Sequence, residues 1–554
     1  MKDAFNIVPR HYDDDGMPIW KSMLSPTSNT QRALVLAPPN KVIPILFVPG
    51  IMGSNLKVIN TKQTKGETIA WRPDFAGLKD IRRDAADRQN LLNPANTEVD
   101  TAVTSKGQTK VDPLAGMSLA AAEKRGWGSV MWGSYGDILQ YLELNANSAC
   151  FWEPALKKVV VSAIWQPLID KGVVTVNTGA HKLQQPELEH LSEYWFPVHA
   201  IGYNWLQSNE DSGIYLAKQI EQIKTFYQKK FKDVAACQKV ILVTHSMGGL
   251  VARAAVHPEM GKAKDSVLGI VHGVMPAIGA ASTYKRMRTG FGSFSILSTE
   301  GQTNGVLGSN GKEVTAVLGH SPGGLQLLPN KNYASDGWLK VEGITEKPYV
   351  IASNGNPYAN IYSEKNKWWR MVHPDWLDPA KRFTVDPKKT AWDSYIAALL
   401  NAEKFHDKLT GQYHDQSYVF FGSDKKQLAY GDVVWKKVSW MDENVGDLRR
   451  SQNTKESLMK DGMSHQQWDN SEGRTAAILG SAHASFDMTA PRDPGDGTVP
   501  AISGTAPEHA SPANIKFQCA ISGIDHQSSY ATVNTAVINF VLYSACKMVQ
   551  ELKS

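Results

Sequence analysis

The stretch KVILVTHSMGGLVARAA, Lys239 to Ala255, decides the reading of this chain. Its first residues are mostly β-favouring, and they run into His245 and Ser246. Gly248 and Gly249 follow, and then apolar residues at helical spacing. A serine placed where a strand turns sharply into a helix is a nucleophile elbow. The turn lifts the hydroxyl clear of the sheet and brings the N–H groups of the helix N-terminus near the reacting carbon. The crowding this creates calls for small residues next to the serine, which Gly248 and Gly249 supply. The usual pattern is G-x-S-x-G; Thr244 stands in place of its first glycine.

Around the elbow, strands alternate with helices. KVIPILFVPG (Lys41 to Gly50) is a continuous apolar run ending in a turn signal, the mark of a parallel strand covered on both faces. FPVHAIGYNW (Phe196 to Trp205) is a second short strand. The helix after it is expected to be capped by Asp211 or Ser212, with Leu216, Ile220, Ile223 and Tyr227 on one face. DSVLGIVHGV, QSYVFFGS and FQCAISGI read as further strands. Val533, Val537, Phe540, Val541 and Ser544 fall on one side of a last helix. The fold class predicted is α/β, with a mostly parallel central sheet. Two intervals are too long for plain connections and are predicted to be cap or lid insertions over the carboxyl edge of that sheet. The organisation expected is an N-terminal extension (1–40), core segments 41–56 and 196–274, a first insertion (57–195), a second insertion (275–415) and a last core segment (416–554).

A serine hydroxyl needs a histidine to take its proton and a carboxylate to orient that histidine. With an elbow of this type the chain order is serine, acid, histidine. DPGDGTVP (Asp493 to Pro500) offers Asp496, with Asp493 next and Asp487 more remote. SGIDHQSSY (Ser522 to Tyr530) offers His526, just after a strand and just before the last helix; His483 and His272 are the alternatives. His245 adjoins Ser246 but should point to the other side of its strand, in a structural role. For the oxyanion hole, Met247 supplies one N–H and Ile51, after Pro49-Gly50, the other. Gly50 and Gly53 would let the backbone approach a substrate closely. DPGDGT lacks the alternating ligands of a calcium loop, so no metal is expected, and no cofactor.

Composition excludes several classes. The 554 residues are 42% hydrophobic and 20% charged with a net charge of +5, an ordinary globular balance with too little basic excess for nucleic acid. Four widely spaced cysteines show no zinc spacing, and Cys237 and Cys519 read as buried thiols. MKDAFNIVPRHYDDDG lacks the apolar centre of a signal peptide, and no apolar run reaches the roughly 18 residues of a spanning helix. The chain is therefore expected to be synthesised in the cytoplasm. Aromatics crowd both insertions: Trp127, Trp132 and Tyr135 in the first, KWWRMVHPDW (Lys367 to Trp376) in the second. Beside Lys and Arg they suit a membrane interface; equally they suit the core of a cap. The Gly-rich stretch from Thr289 to Val314 reads as a mobile loop or a lid.

Taken together, VPGIMGSNL, GYNW, VTHSMGGLVAR, PGGLQLLP, FFGS, GDGTVP and DHQSSY resemble, in order, α/β-hydrolase lipases of the lecithin:cholesterol acyltransferase and GPI-inositol-deacylase type. RGWGSVMWGSYGDILQYLE (Arg125 to Glu143) and GIVHGVMPAIGAASTYKRM (Gly269 to Met287) resemble the bacterial members, antibacterial phospholipase effectors of type VI secretion. The resemblance implies Ser246 as nucleophile, Asp496 as acid, His526 as base, and Ile51 and Met247 as oxyanion donors. It implies a phospholipase A-type ester hydrolase acting on membrane glycerophospholipids in the periplasm of target cells. It also implies a secretion spike protein for delivery and a cognate immunity protein bound at the cap beside Ser246. A cytosolic carboxylesterase or inositol deacylase is the enzymatic alternative. A binding module on a hydrolase fold is the non-enzymatic one.

Overall fold

The computed structural model describes residues 5–21, 32–34, 38–64, 66, 68–75, 82–105, 108–114, 116–153, 156–173, 181–292, 307–352, 355–383, 389–440, 452–464, 469–480 and 482–552. At its centre are six strands: β1 (Ile45–Val48), β2 (Val198–Ala200), β3 (Val240–His245), β4 (Val267–Gly273), β5 (Ser417–Gly422) and β6 (Ile515–Ile521). They lie in the order β2-β1-β3-β4-β5-β6, and every pair is parallel. β1, β3, β4 and β5 are buried along their whole length, as apolar runs covered on both faces must be.

Strand pleat divides the core. Leu46, Val48 and Leu242 face one way and join Leu250, Val251 and Ala254 of the helix after β3. Ile45, Phe47, Ile241 and Val243 face the other way. The two outer layers include the helices α1 (Trp132–Asn145), α2 (Asn209–Phe231), α3 (Gly248–Val256) and α4 (Thr535–Val549). Ile138, Leu139 and Leu142 of α1 pack with Val537, Phe540 and Val541 of α4 against the second face. The first insertion is therefore not purely a cap. Its helix α1 is the covering layer of the β1-to-β2 crossover, because the buried Ile45 and Phe47 face needs an apolar partner.

Two local expectations are corrected. Ser208, not Asp211 or Ser212, caps α2, its side chain accepting from the Glu210 N–H; Glu210 and Asp211 lie in the first turn, where the helix dipole favours them. Val533 lies ahead of α4 and is 84% exposed, whereas Val537, Phe540, Val541 and Ser544 are buried as expected. Cys237 and Cys519 are buried free thiols, and burial pushes both pKa values up.

A second six-stranded sheet stands beside the first. Its order is Tyr349–Val350, Leu339–Glu342, Val433–Trp440, Ala482–Met488, Arg474–Leu479, Met463–Ser464. Leu339–Glu342 pairs with Val433–Trp440 in parallel, and the remaining pairs are antiparallel. The last core segment expected, 416–554, returns to the central sheet at Ser417 but is interrupted: residues 433–488 leave that sheet and complete a lobe begun in the second insertion. Val433 and Trp435 are buried and need the apolar surface that Trp338 and Leu339 supply. Asp424–Ala429 and Asp493–Gly495 pair antiparallel and form the two-stranded stalk of this excursion.

The paired tryptophans belong to the interior of that lobe. Trp368 is fully buried and stacks on Phe486 with ring centroids 4.1 Å apart. Its Nε1–H reaches the Leu458 carbonyl, and that of Trp369 reaches the Met459 carbonyl. Trp127 is also buried, its Nε1–H donating to the Val198 carbonyl. Of the two readings of these rings, the structure gives interior packing: Trp368 and Trp369 inside the lobe, Trp127 against the central sheet. The expected lid, Thr289 to Val314, falls largely on 293–306, outside the described residues. Among the described residues no helix is long and apolar enough to cross a membrane.

Candidate active site

Ser246 follows β3 directly and precedes α3, whose cap position is Met247. Its φ is +52°, a left-handed conformation that a side-chain-bearing residue adopts only under constraint. Two hydrogen bonds hold it there: the Ser246 N–H donates to the Gly273 carbonyl at the end of β4, and the Gly249 N–H donates to the Ser246 carbonyl. The sharp turn expected from the sequence is present.

Three distant segments meet at this turn. His526, in the loop after β6, approaches with Nε2 2.9 Å from Ser246 Oγ. Its Nδ1 lies 2.8 Å from Asp496 Oδ2. Asp496 is 1% exposed, and its second oxygen accepts from the N–H groups of Thr498 and Val499 at 3.0 and 2.7 Å. The Asp496 carbonyl also accepts from the His526 N–H at 2.8 Å, so the carboxylate and the imidazole are fixed to each other twice. The carboxylate binds Nδ1, and this leaves Nε2 to face the hydroxyl. A line of this kind can move a proton from the hydroxyl to the imidazole and hold the resulting cation.

The alternatives weighed in the sequence are occupied elsewhere. Asp493 accepts from the Gly431 and Asp432 N–H groups. Asp487 makes a paired contact with Arg474 on the second sheet. His483 lies in Ala482–Met488 of that same sheet. His272 is fully buried in β4, and neither ring nitrogen finds a partner among the described residues.

Ser246 opens onto a cavity of about 280 Å³ whose lining includes Ile51, Met52, Arg286, Phe291, Thr498 and Gln527. A larger cavity, of about 680 Å³, contains none of Ser246, Asp496 and His526. Among the described residues neither the Ile51 N–H nor the Met247 N–H has an acceptor. The loop carrying Ile51 is held by the Gly53 N–H donating to the Gly50 carbonyl, and by Tyr203, whose hydroxyl donates to the Pro49 carbonyl.

Gly50 and Gly53 were expected to admit a substrate. The structure gives them a further reason. A Cβ on Gly50 would lie 2.9 Å from His245 Nδ1, and one on Gly53 would lie 2.8 Å from the Tyr135 hydroxyl. These two side chains, and Arg286 on the cavity wall, are parts of the site that the sequence did not mark. Tyr135 sat in a quoted motif, but only as one aromatic among several. Helix Ser282–Thr289 carries Arg286, whose Nη2 donates to Thr498 Oγ1 at 3.0 Å.

An all-parallel sheet with a strained serine at the turn after a central strand, and a histidine after the last strand, is an α/β-hydrolase fold. Residues 207–291 match the family described as PGAP1-like alpha/beta domain. The whole structure is similar to a chain of the crystal structure of the Tle4-Tli4 complex: TM-score 0.70, 27% identity, 92% of this chain and 99% of that one covered. No curated protein matches the sequence. Both likenesses agree with the hydrolase resemblance carried by the motifs.

Proposed function

We propose that the chain is a serine ester hydrolase in which Ser246 attacks an ester carbonyl, His526 takes and returns the proton, and Asp496 orients His526. Ile51 and Met247 receive the oxyanion. The observation that carries this is the Ser246–His526–Asp496 line, 2.9 and 2.8 Å between its members. Attack transfers the acyl group to Ser246 Oγ and releases the alcohol, which takes the proton from His526. Water then attacks the acyl-enzyme with His526 as base, and the acid leaves. The substrate class is the membrane glycerophospholipid, cleaved in the manner of a phospholipase A. The likeness to a chain solved as the Tle4-Tli4 complex supports a type VI secretion effector with an immunity protein; delivery with a spike protein, and the cap as the place where the immunity protein binds, are part of the proposal.

Phospholipid vesicles treated with wild-type protein and with Ser246→Ala test the reading. Free fatty acid and lysophospholipid should appear with the first alone. Equal release by the variant, or none by either, overturns it. The effector assignment has its own test. An exported wild type should be toxic in the periplasm and the exported Ser246→Ala harmless; equal toxicity removes that assignment and leaves the hydrolase.

The size of the cavity favours a second reading. At about 280 Å³ it lies just below the range of ordinary ligand pockets, and it suits a short-chain carboxylesterase. Turnover that falls steadily with acyl length on soluble esters, with no rise on vesicles, would select that alternative.

A further inference from the structure

His245 was expected to be structural and to face away from the chemistry. It is 2% exposed, yet both ring nitrogens are engaged at the site. Nε2 lies 2.8 Å from the His526 carbonyl oxygen, and Nδ1 lies 2.9 Å from the Tyr135 hydroxyl. The Tyr135 oxygen in turn lies 3.3 Å from the Gly50 N.

The direction of every bond in this chain is fixed by chemistry. A carbonyl only accepts, so the proton of His245 is on Nε2. Burial, with the charge of His526 next, pulls the His245 pKa down to about 3, so the ring is neutral and Nδ1 carries a lone pair. The phenol of Tyr135 must therefore donate to Nδ1. Burial pushes its pKa far up, so it keeps its proton. Its oxygen then accepts from the Gly50 N–H. The series runs from the Gly50 N–H to Tyr135 Oη, from Tyr135 O–H to His245 Nδ1, and from His245 Nε2–H to the His526 carbonyl. It starts in the loop that presents the Ile51 N–H and ends on the backbone of the base.

Both backbone polar groups of His526 are thereby tied, the N–H to Asp496 and the carbonyl to His245. A second link has the same origin: Gln527 Nε2 donates to Ser134 Oγ at 3.0 Å, one residue before Tyr135 on α1. The first turn of α1 thus holds the residue next to the base and the loop that precedes Ile51 at once.

We infer that Tyr135 and His245 are positioning residues for the proposed reaction, a neutral relay that keeps the oxyanion loop and His526 in register around Ser246. This rests on the proposed hydrolase reading. Neither residue touches the reacting atoms. Their effect is on the placement of groups that do, where an error of about 1 Å costs roughly 10²-fold in rate.

The test compares His245→Phe, His245→Gln and Tyr135→Phe with wild type and with Ser246→Ala. Phe keeps the ring's bulk and removes both bonds. Gln can restore an N–H near the position of Nε2. The readouts are kcat and KM for a soluble p-nitrophenyl butyrate, the rate of labelling by a fluorophosphonate, and the melting temperature. His245→Phe should lose about 10²-fold in kcat and in labelling rate, with KM within about twofold. His245→Gln should recover at least about tenfold of that loss, and Tyr135→Phe should lose about tenfold. A merely structural role predicts a different order: losses that follow melting temperature and disappear when the assay is cooled. That order overturns the inference, as does a Gln variant no better than Phe, or a Tyr135→Phe with wild-type kcat. The failure of the underlying reading looks different. There the wild type is neither active nor labelled, or Ser246→Ala matches it, and the relay falls with the reading. With an active, labelled wild type and a dead Ser246→Ala, an unimpaired His245→Phe removes the relay alone.

Discussion

Gly422, at the carboxyl end of β5, passes so close to Asp496 that a Cβ on it would lie 2.6 Å from Asp496 Cβ. The neighbouring atom is a main-chain-proximal carbon, not the free end of a side chain, so it cannot swing away. Gly422→Ala should push Asp496 off His526. We expect a loss of about 1–3 kcal/mol in stability, typical of overpacking, and at least about a tenfold loss in kcat. Denaturant melts and ester assays on one preparation measure both; wild-type turnover would show that the loop carrying Asp496 yields without cost.

The backbone strain at Ser246 gives a prediction about stability. Its φ of +52° is costly for any residue with a Cβ and nearly free for glycine. Ser246→Gly should therefore melt above Ser246→Ala by the equivalent of about 1 kcal/mol, with both inactive. Equal melting temperatures would mean that the turn costs nothing.

Two aspartates three residues apart have separate duties. Asp496 accepts from His526, whereas Asp493 accepts from Gly431 and Asp432 in the turn beyond the stalk. Asp496→Asn should lower kcat by about 10⁴-fold, through the wrong tautomer of His526. Asp493→Asn should leave turnover within about threefold and act on stability through the lost acceptor. The reverse ranking in one assay would transfer the orienting role to Asp493.

Acid should destabilise the fold through its buried imidazoles. His245 and His272 are held near a pKa of about 3, and His406 near about 4, against 6.5 in an unfolded chain, with burial the main cause in each. Below pH 6.5 the unfolded chain binds these protons first. Stability is therefore full above that pH and falls as pH drops towards 4, by about 1.4 kcal/mol per pH unit for each group. Among the described residues neither ring nitrogen of His272 has a hydrogen bond to lose, so His272→Leu should remove one group's share of the slope between pH 6.5 and 5. Denaturant midpoints at several pH values measure this, and an unchanged slope would count against it.

The helix that carries Arg286 is anchored from behind. Asp469, with no exposed side-chain surface, pairs with Arg288 of that helix and with Arg370 at 2.7 Å. Asp469→Asn leaves two buried guanidinium groups uncompensated and should cost about 3–5 kcal/mol. Replacement without measurable destabilisation would show that water reaches the pair.

The elements around Ser246 were legible because each carries a local signal. β3 is an unbroken apolar run, the elbow needs its glycines, and His526 falls just before an amphipathic helix. The structure also brings Asp496 to His526, but nothing local separates Asp496 from Asp493: both lie in one Gly- and Pro-rich stretch of sequence, and only the stalk pairing, which takes Asp493 into a strand and leaves Asp496 just beyond it, decides which carboxylate faces inward. The second sheet was hidden for a related reason. Its parallel pair joins Leu339 to Val433, about a hundred residues apart, and neither segment's alternation names its partner. Tyr135 and His245 were missed because a buried ring at a strand end or in a helix looks like packing until its polar atoms are traced. Trp368 and Trp369 show the converse. Their basic neighbours suggested a lipid surface, and burial with satisfied N–H groups places them inside.

The parallel pairing of Leu339–Glu342 with Val433–Trp440 has a consequence for inheritance. Two insertions that enter the chain at different points are sewn into one lobe, and neither is complete without the other. A recombination junction between 343 and 432 would give a chimera half of each parent's seam. Relatives can exchange this lobe only by carrying both pieces together, so its two halves are bound to diversify as a single unit, whatever the rest of the molecule does.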